Sequence, residues 1–104
     1  MSLSHAEQQR TAAELRLALE RSGLGLDEVG ADLGFDGPRL WGGLNVAGAD
    51  PVDVWQLRDY LQQALDDQGL EPMRFSVLTD SSRAAARQWF RLRGAPRHTF
   101  VTSR

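Results

Sequence analysis

The stretch Leu26-Asp27-Glu28-Val29-Gly30-Ala31-Asp32-Leu33-Gly34-Phe35-Asp36-Gly37-Pro38-Arg39-Leu40-Trp41-Gly42-Gly43-Leu44-Asn45-Val46 decides how this chain is read. It holds two short apolar runs, Leu26/Val29/Leu33 and Leu40/Leu44, separated by Gly34-Phe35-Asp36. Recurrence at three- and four-residue spacing marks a helix with one buried face. Asp27 and Glu28 fall in the first turn of the first run, where the positive end of the helix dipole favours carboxylates. Gly34 ends that helix with a residue that tolerates positive φ. Asp36 can then cap the second helix. Pro38 is tolerated in its first turn, because amides there have no intrahelical acceptor. The second helix should end near Val46.

Joined in this way, the two helices of segment 26–46 form a helix-turn-helix-like pair. Gly30 lets the second helix cross closely, Gly34 makes the turn, and Val29, Leu33, Phe35 and Leu40 lock the pair together. An ordinary helical hairpin with a glycine turn is the competing reading. DNA recognition is a separate matter, since base contacts come from long polar side chains near the start of a reading helix. Only Arg39 and Asn45 could reach a base edge here. Asp36 would sit near phosphates, and Gly42-Gly43 lowers helix propensity by about 1 kcal/mol per residue relative to Ala. The same features suit protein contact better. Gly42 and Gly43 leave a smooth surface with Trp41 at its edge, and Trp is a frequent interface anchor. The plainer alternative places Trp41 beside Leu40 and Leu44 at the margin of the core.

Working outward, Ser4 with Glu7 three residues later is a capping box. Ala12, Leu15, Ala18 and Leu19 follow at helical spacing as far as Gly23. Asp50-Pro51 is a cap followed by Pro at the first helical position, opening a long helix that reaches Gln68 before Gly69. Its apolar stripe is Val54, Leu57, Leu61, Ala64 and Leu65. Arg58 falls inside that stripe, so a structural ion pair is expected for it. Met73 to Leu78 alternates enough for a short strand, with Thr99 to Thr102 as its expected partner. Thr79 or Asp80 should cap a fifth helix over Ser81 to Arg93, closed by Gly94.

Charge divides the chain. Residues 1–72 carry five Arg against thirteen Asp and Glu, a balance of −8, while residues 73–104 carry seven Arg against Asp80 alone, a balance of +6. The acidic part contains the helix-turn-helix-like segment, although a phosphate-binding surface wants the opposite sign. With 104 residues there is material for one hydrophobic core and not for two. Both charge halves, the acidic helical body and the basic extension, should therefore belong to a single domain spanning 1–104. The absence of Cys excludes disulfides, thiolate catalysis and most structural zinc sites. No apolar run approaches a membrane span and the start lacks a signal-peptide core, so a cytoplasmic setting is expected.

Arg83, Arg87 and Arg91 recur every four residues, with Ala85, Trp89 and Leu92 roughly opposite. The bland reading is a solvated face loosely paired with acids such as Asp66, Asp67 and Glu71. The sharper one is an anion dock, extended by Arg93 and Arg97, that takes a phosphate backbone or an acidic protein. The two imidazoles, His5 and His98, lie near opposite termini, and no nucleophile, base and anion hole can be assembled from any motif. No catalysis, no metal and no cofactor are expected, and His98 reads most simply as a tail residue.

Taken together, Glu14-Leu15, Ser22-Gly23-Leu24, Asp32-Leu33-Gly34-Phe35, Val54-Trp55 through Leu57-Arg58-Asp59-Tyr60-Leu61, and Gln88-Trp89-Phe90 resemble the domain of unknown function 2316 family of short bacterial proteins. The likeness covers nearly the whole length. It implies no established activity, and Gly25 and Gly30 stand where such helix pairs more often have a Ser cap and an Ala. The expected architecture is mainly α: four helices with a helix-turn-helix-like core, a short extended segment and an Arg-rich fifth helix. The expected role is a non-catalytic regulatory module that engages protein, itself included. A DNA-binding regulator using Arg39, Asn45 and the C-terminal arginines is the alternative.

Overall fold

A computed structural model describes residues 3–100 as five helices, with no strand among them. Helix α1, His5–Ser22, opens on the expected capping box. The Ser4 hydroxyl accepts from the Glu7 amide at 3.2 Å, and the Ser4 amide donates to the Glu7 carboxylate at 3.0 Å. It stops at Gly23, whose φ of 73° no β-carbon would favour. Its buried stripe is Thr11, Leu15, Ala18 and Ser22.

Helix α2, Leu26–Leu33, follows Gly25, which has no side chain to cap it; only the reciprocal half of a capping box is made, with the Glu28 carboxylate accepting the Gly25 amide at 3.0 Å. Gly34 closes α2 at φ 72°. Asp36 then caps α3, Gly37–Asn45, through the Arg39 amide at 2.9 Å. A β-carbon on Gly30 would lie 3.1 Å from the Phe35 carbonyl oxygen, so the turn between α2 and α3 passes against α2 at a spot where glycine fits without displacement. Asp50 caps α4, Pro51–Asp67, by accepting the Val52 amide at 2.9 Å.

Helix α4 is the axis of the molecule. Nine of its seventeen residues are buried, on more than one face, because α1 and α3 pack on one side and the chain after residue 70 wraps the other. Leu57, Tyr60, Leu61 and Leu65 join Leu15, Ala18, Val29, Leu40 and Leu44 in one core. At the α3–α4 contact Gly43 is buried, with the place of its β-carbon 3.5 Å from Leu57 Cδ2.

The expected strand over 73–78 is not formed. Phe75 and Val77 are buried with Arg74 and Ser76 exposed, as the alternation implied, whereas Leu78 is buried beside Val77 against it, and the backbone is held by side chains of helices. Gln62 of α4 grips Met73 at two points, its amide donating to the Met73 carbonyl at 2.9 Å and its carbonyl accepting the Met73 amide at 2.9 Å. Glu14 of α1 accepts the Ser76 amide at 3.1 Å and the Ser76 hydroxyl at 2.8 Å. Of the proposed partner, Thr99 and Phe100 lie outside any strand, and residues 101–102 lie outside the described residues. A carboxamide carries both a donor and an acceptor, so a helix presenting glutamines can satisfy an extended backbone without a neighbouring strand.

The fifth helix is also shorter than the spacing predicts. Helix α5, Asp80–Ala86, is capped by the Thr79 hydroxyl, which accepts the Ser82 amide at 3.1 Å. After it the Trp89 and Phe90 amides both turn back to the Ala86 carbonyl. From Arg91 the chain runs extended across α4. Gln56 donates to the Gly94 carbonyl at 3.2 Å, and Gln63 to the Ala95 carbonyl at 3.3 Å. Leu92 and Ala95 pack against the core. Ala-rich propensity favours continuing the helix, and these tertiary contacts override it.

Candidate functional site

The residues singled out as base readers are engaged within the protein. Arg39 places its Nε and Nη2 on the two carboxylate oxygens of Asp53 at 2.8 and 2.7 Å, and its guanidinium stacks 4.0 Å from the Phe35 ring centroid. Asp53 sits in the first turn of α4, so this bidentate bond ties the start of α3 to the start of α4. The Asp53 hydrogen bonds raise the Arg39 pKa, with Asp36 and Asp50 adding to the negative field around it. Reciprocally, Arg39 holds the Asp53 carboxyl below its ordinary range. Asn45 donates its side-chain amide to the Trp41 carbonyl at 2.8 Å.

The Trp41-Gly42-Gly43 patch is divided by the fold. Trp41 points outward and is 63% exposed, Gly42 is half-buried, and Gly43 faces α4. The smooth glycine surface expected for a partner is, at Gly43, already taken by Leu57.

The arginine set is divided as well. Arg83 forms a two-point ion pair with Asp59 of α4 and lies 4.8 Å from the Trp55 ring centroid. Arg58 bonds the same carboxylate at 3.0 Å, which is the structural ion pair expected for it, and sits near the Trp55 and Phe75 rings. Arg97 pairs with Asp67 at 2.5 Å. Much of the charge segregation is therefore answered inside the molecule, with the basic extension clamped onto the acidic body. Arg87, Arg91 and Arg93 are exposed, and none has a carboxylate within 4.0 Å among the described residues. They do not form one helical stripe with Arg83, because α5 ends before Arg87. Instead they line an open groove of about 630 Å³ with Asp59, Arg83 and Trp89.

Two features were not read from the sequence. His98 is no loose tail residue: its Nδ1 lies 2.6 Å from Asp32 and its Nε2 lies 3.4 Å from Glu28. The buried Tyr60 hydroxyl donates to the same Asp32 carboxylate at 2.5 Å. Burial, and then the Asp32 carboxylate, push the Tyr60 pKa well above that of a free phenol. For Asp32 burial acts to raise the pKa, but the Tyr60 and His98 hydrogen bonds outweigh it and the net shift is downward. The cluster joins α2, α4 and the extended tail, and with both imidazole nitrogens turned to carboxylates it works as a clasp. Only the pairing across 66 residues reveals it; spacing gives no signal.

The second is an apolar groove of about 560 Å³ between the start of α1, the start of α4 and residues 76–90. Its floor includes the buried Val54, Trp55 and Leu78, and Trp89 and Phe90 form a wall shared with the basic groove. No group of three or more His, Asp or Glu able to hold a metal ion occurs among the described residues. Among the same residues no helix is long and apolar enough to cross a membrane.

These features define a mainly α-helical single domain whose basic extension is clasped to an acidic helical body. Among known proteins, the chain belongs to the bacterial family described as "Uncharacterized protein conserved in bacteria (DUF2316)", whose model matches residues 1–91. No curated protein and no solved structure matches it.

Proposed function

We propose that the protein is a non-catalytic regulatory module that engages polypeptide, a second copy of itself included, through the outward edge of α3. The observation that carries this reading is Trp41: a large indole, 63% exposed, on the very helix whose polar reach is otherwise occupied. An exposed Trp flanked by little side-chain bulk is the type of group that anchors interfaces. The start of α3 is negative in character, with Asp36, Asp50 and Asp53 around Arg39. Approach of a phosphate backbone to that end is electrostatically opposed.

One observation favours the DNA-binding alternative. Arg93 lies close enough to Asp53 to help hold its carboxyl low, so an exposed cation stands near the start of α4, beside Arg39 of α3. In that version Arg87 and Arg91, with Arg93 in place of the Asp59-bound Arg83, grip phosphates, and Arg39 and Asn45 leave Asp53 and the Trp41 carbonyl to read bases.

Affinity capture from a bacterial lysate with wild-type and Trp41→Glu baits, beside a salt-titrated mobility shift on pooled duplex fragments, tests the reading. The expected result is a protein retained by wild type and lost with Trp41→Glu, while circular dichroism stays unchanged. Sequence-selective duplex retention at physiological salt, abolished by Arg39→Gln or Asn45→Ala, would overturn it.

A further inference from the structure

The apolar and basic grooves meet at Trp89 and Phe90, and that junction has a direction. Among the described residues that line the apolar groove, the one with an ionisable side chain is Glu7. On the other side of the shared wall stand Arg87, Arg91 and Arg93, all exposed and, among the described residues, without a carboxylate within 4.0 Å, while Arg83 is occupied by Asp59. A bound anionic head is repelled by Glu7 and drawn to the arginines, whereas an apolar tail is accepted by Val54, Trp55 and Leu78. Trp89 stands between them 66% exposed, a large apolar surface left in water unless something covers it.

We propose that this composite groove binds a free amphipathic carboxylate of the fatty-acid class, the acyl chain along Val54, Trp55, Leu78 and Ala86 and the carboxylate on Arg87, Arg91 and Arg93. The apolar part, about 560 Å³, falls within the range of roughly 300–1,000 Å³ usual for small-molecule sites. Guanidinium groups match a carboxylate through paired N–H donors, so arginines suit this head group better than a lysine cluster would. The site is separate from the outward edge of α3, and it stands or falls independently of the reading above.

Dodecanoate, kept below its micelle concentration, is the probe, titrated into the full chain by calorimetry with tryptophan emission followed in parallel. The expected result is saturable one-to-one binding, with an emission shift to the blue in wild type that is absent in Trp89→Phe. The Arg87→Gln/Arg91→Gln/Arg93→Gln variant alters exposed side chains, and should bind on the order of tenfold more weakly with unchanged circular dichroism. Rising salt should weaken the wild-type complex, a readout that needs no variant. Any of four results overturns the proposal: no saturable heat, affinity indifferent both to salt and to the triple variant, equal binding of dodecyltrimethylammonium, or cosedimentation with phosphatidylglycerol vesicles but no binding of monomeric dodecanoate.

Discussion

Replacing Asp59 by Asn tests whether the basic extension is held to the acidic body by charge. The side chain keeps its shape, but the two guanidiniums it serves, Arg83 and Arg58, lose their common anion. Exposed ion pairs contribute roughly 0–1 kcal/mol, and removing one partner of a buried pair costs roughly 3–5 kcal/mol. The Arg83 and Asp59 side chains are 21% and 18% exposed, so this pair falls between those limits. A loss of about 2–3 kcal/mol is expected. At about 4–8 °C per kcal/mol for a domain of this size, the melting midpoint should fall by roughly 10–20 °C. Circular dichroism melts and urea titrations of wild type, Asp59→Asn, Arg83→Gln and the double variant close a thermodynamic cycle. The coupling between the two positions should reach about 1 kcal/mol or more. A loss below about 0.5 kcal/mol for Asp59→Asn, or a coupling indistinguishable from zero, would refute the clamp.

Three further outcomes are expected. Asp32 and Asp53 have folded-state pKa values below the ordinary carboxylate value, so their stabilisation is complete above about pH 4 and is lost as pH falls through the folded values. Urea midpoints measured downward from neutral pH should drop in acid, and Arg39→Gln or Tyr60→Phe should flatten that drop; an unchanged acid slope in both would contradict the assignment. Gly43→Ala places a methyl in ordinary contact with Leu57 and should gain up to about 1 kcal/mol from helix propensity. Gly30→Ala presses on the Phe35 carbonyl and should show no such gain, so chemical denaturation giving both the same sign and size would disprove the close approach. Val46 ends α3 at φ 50°, a conformation β-branched residues disfavour, while its side chain packs against the core; relief of the backbone and loss of apolar contact oppose each other, and Val46→Gly should shift stability by less than about 1 kcal/mol, read from the urea midpoint.

Much of the fold was legible because its signals are local. Ser4 and Glu7, Asp36, and Asp50-Pro51 satisfy the amides of their own helix starts, and Gly23 and Gly34 end helices by a backbone conformation of their own. Those interactions span a few residues, so one stretch of chain contains both partners. The apolar spacing likewise placed Leu57, Leu61 and Leu65 inside, and the likeness quoted from Asp32-Leu33-Gly34-Phe35 to Gln88-Trp89-Phe90 agrees with the family match over residues 1–91.

What lay beyond the sequence depends on partners far apart along it. Alternation in Met73 to Leu78 marked Phe75 and Val77 as buried but could not say that Leu78 would be buried beside them, or that Gln62 and Glu14, rather than another strand, would hold the backbone. Helix propensity carried α5 on toward Arg93, whereas Gln56 and Gln63 drew the following chain out along α4. Arg39, Arg83 and Arg97 look alike in sequence to Arg87, Arg91 and Arg93. Which cations face a carboxylate and which face solvent is fixed only when Asp53, Asp59 and Asp67 of α4 arrive beside the first set. Local hydrogen bonds and periodicity determine where helices begin and end; the distribution of free charge and open apolar surface is a property of packing, because it depends on which distant groups have already satisfied one another.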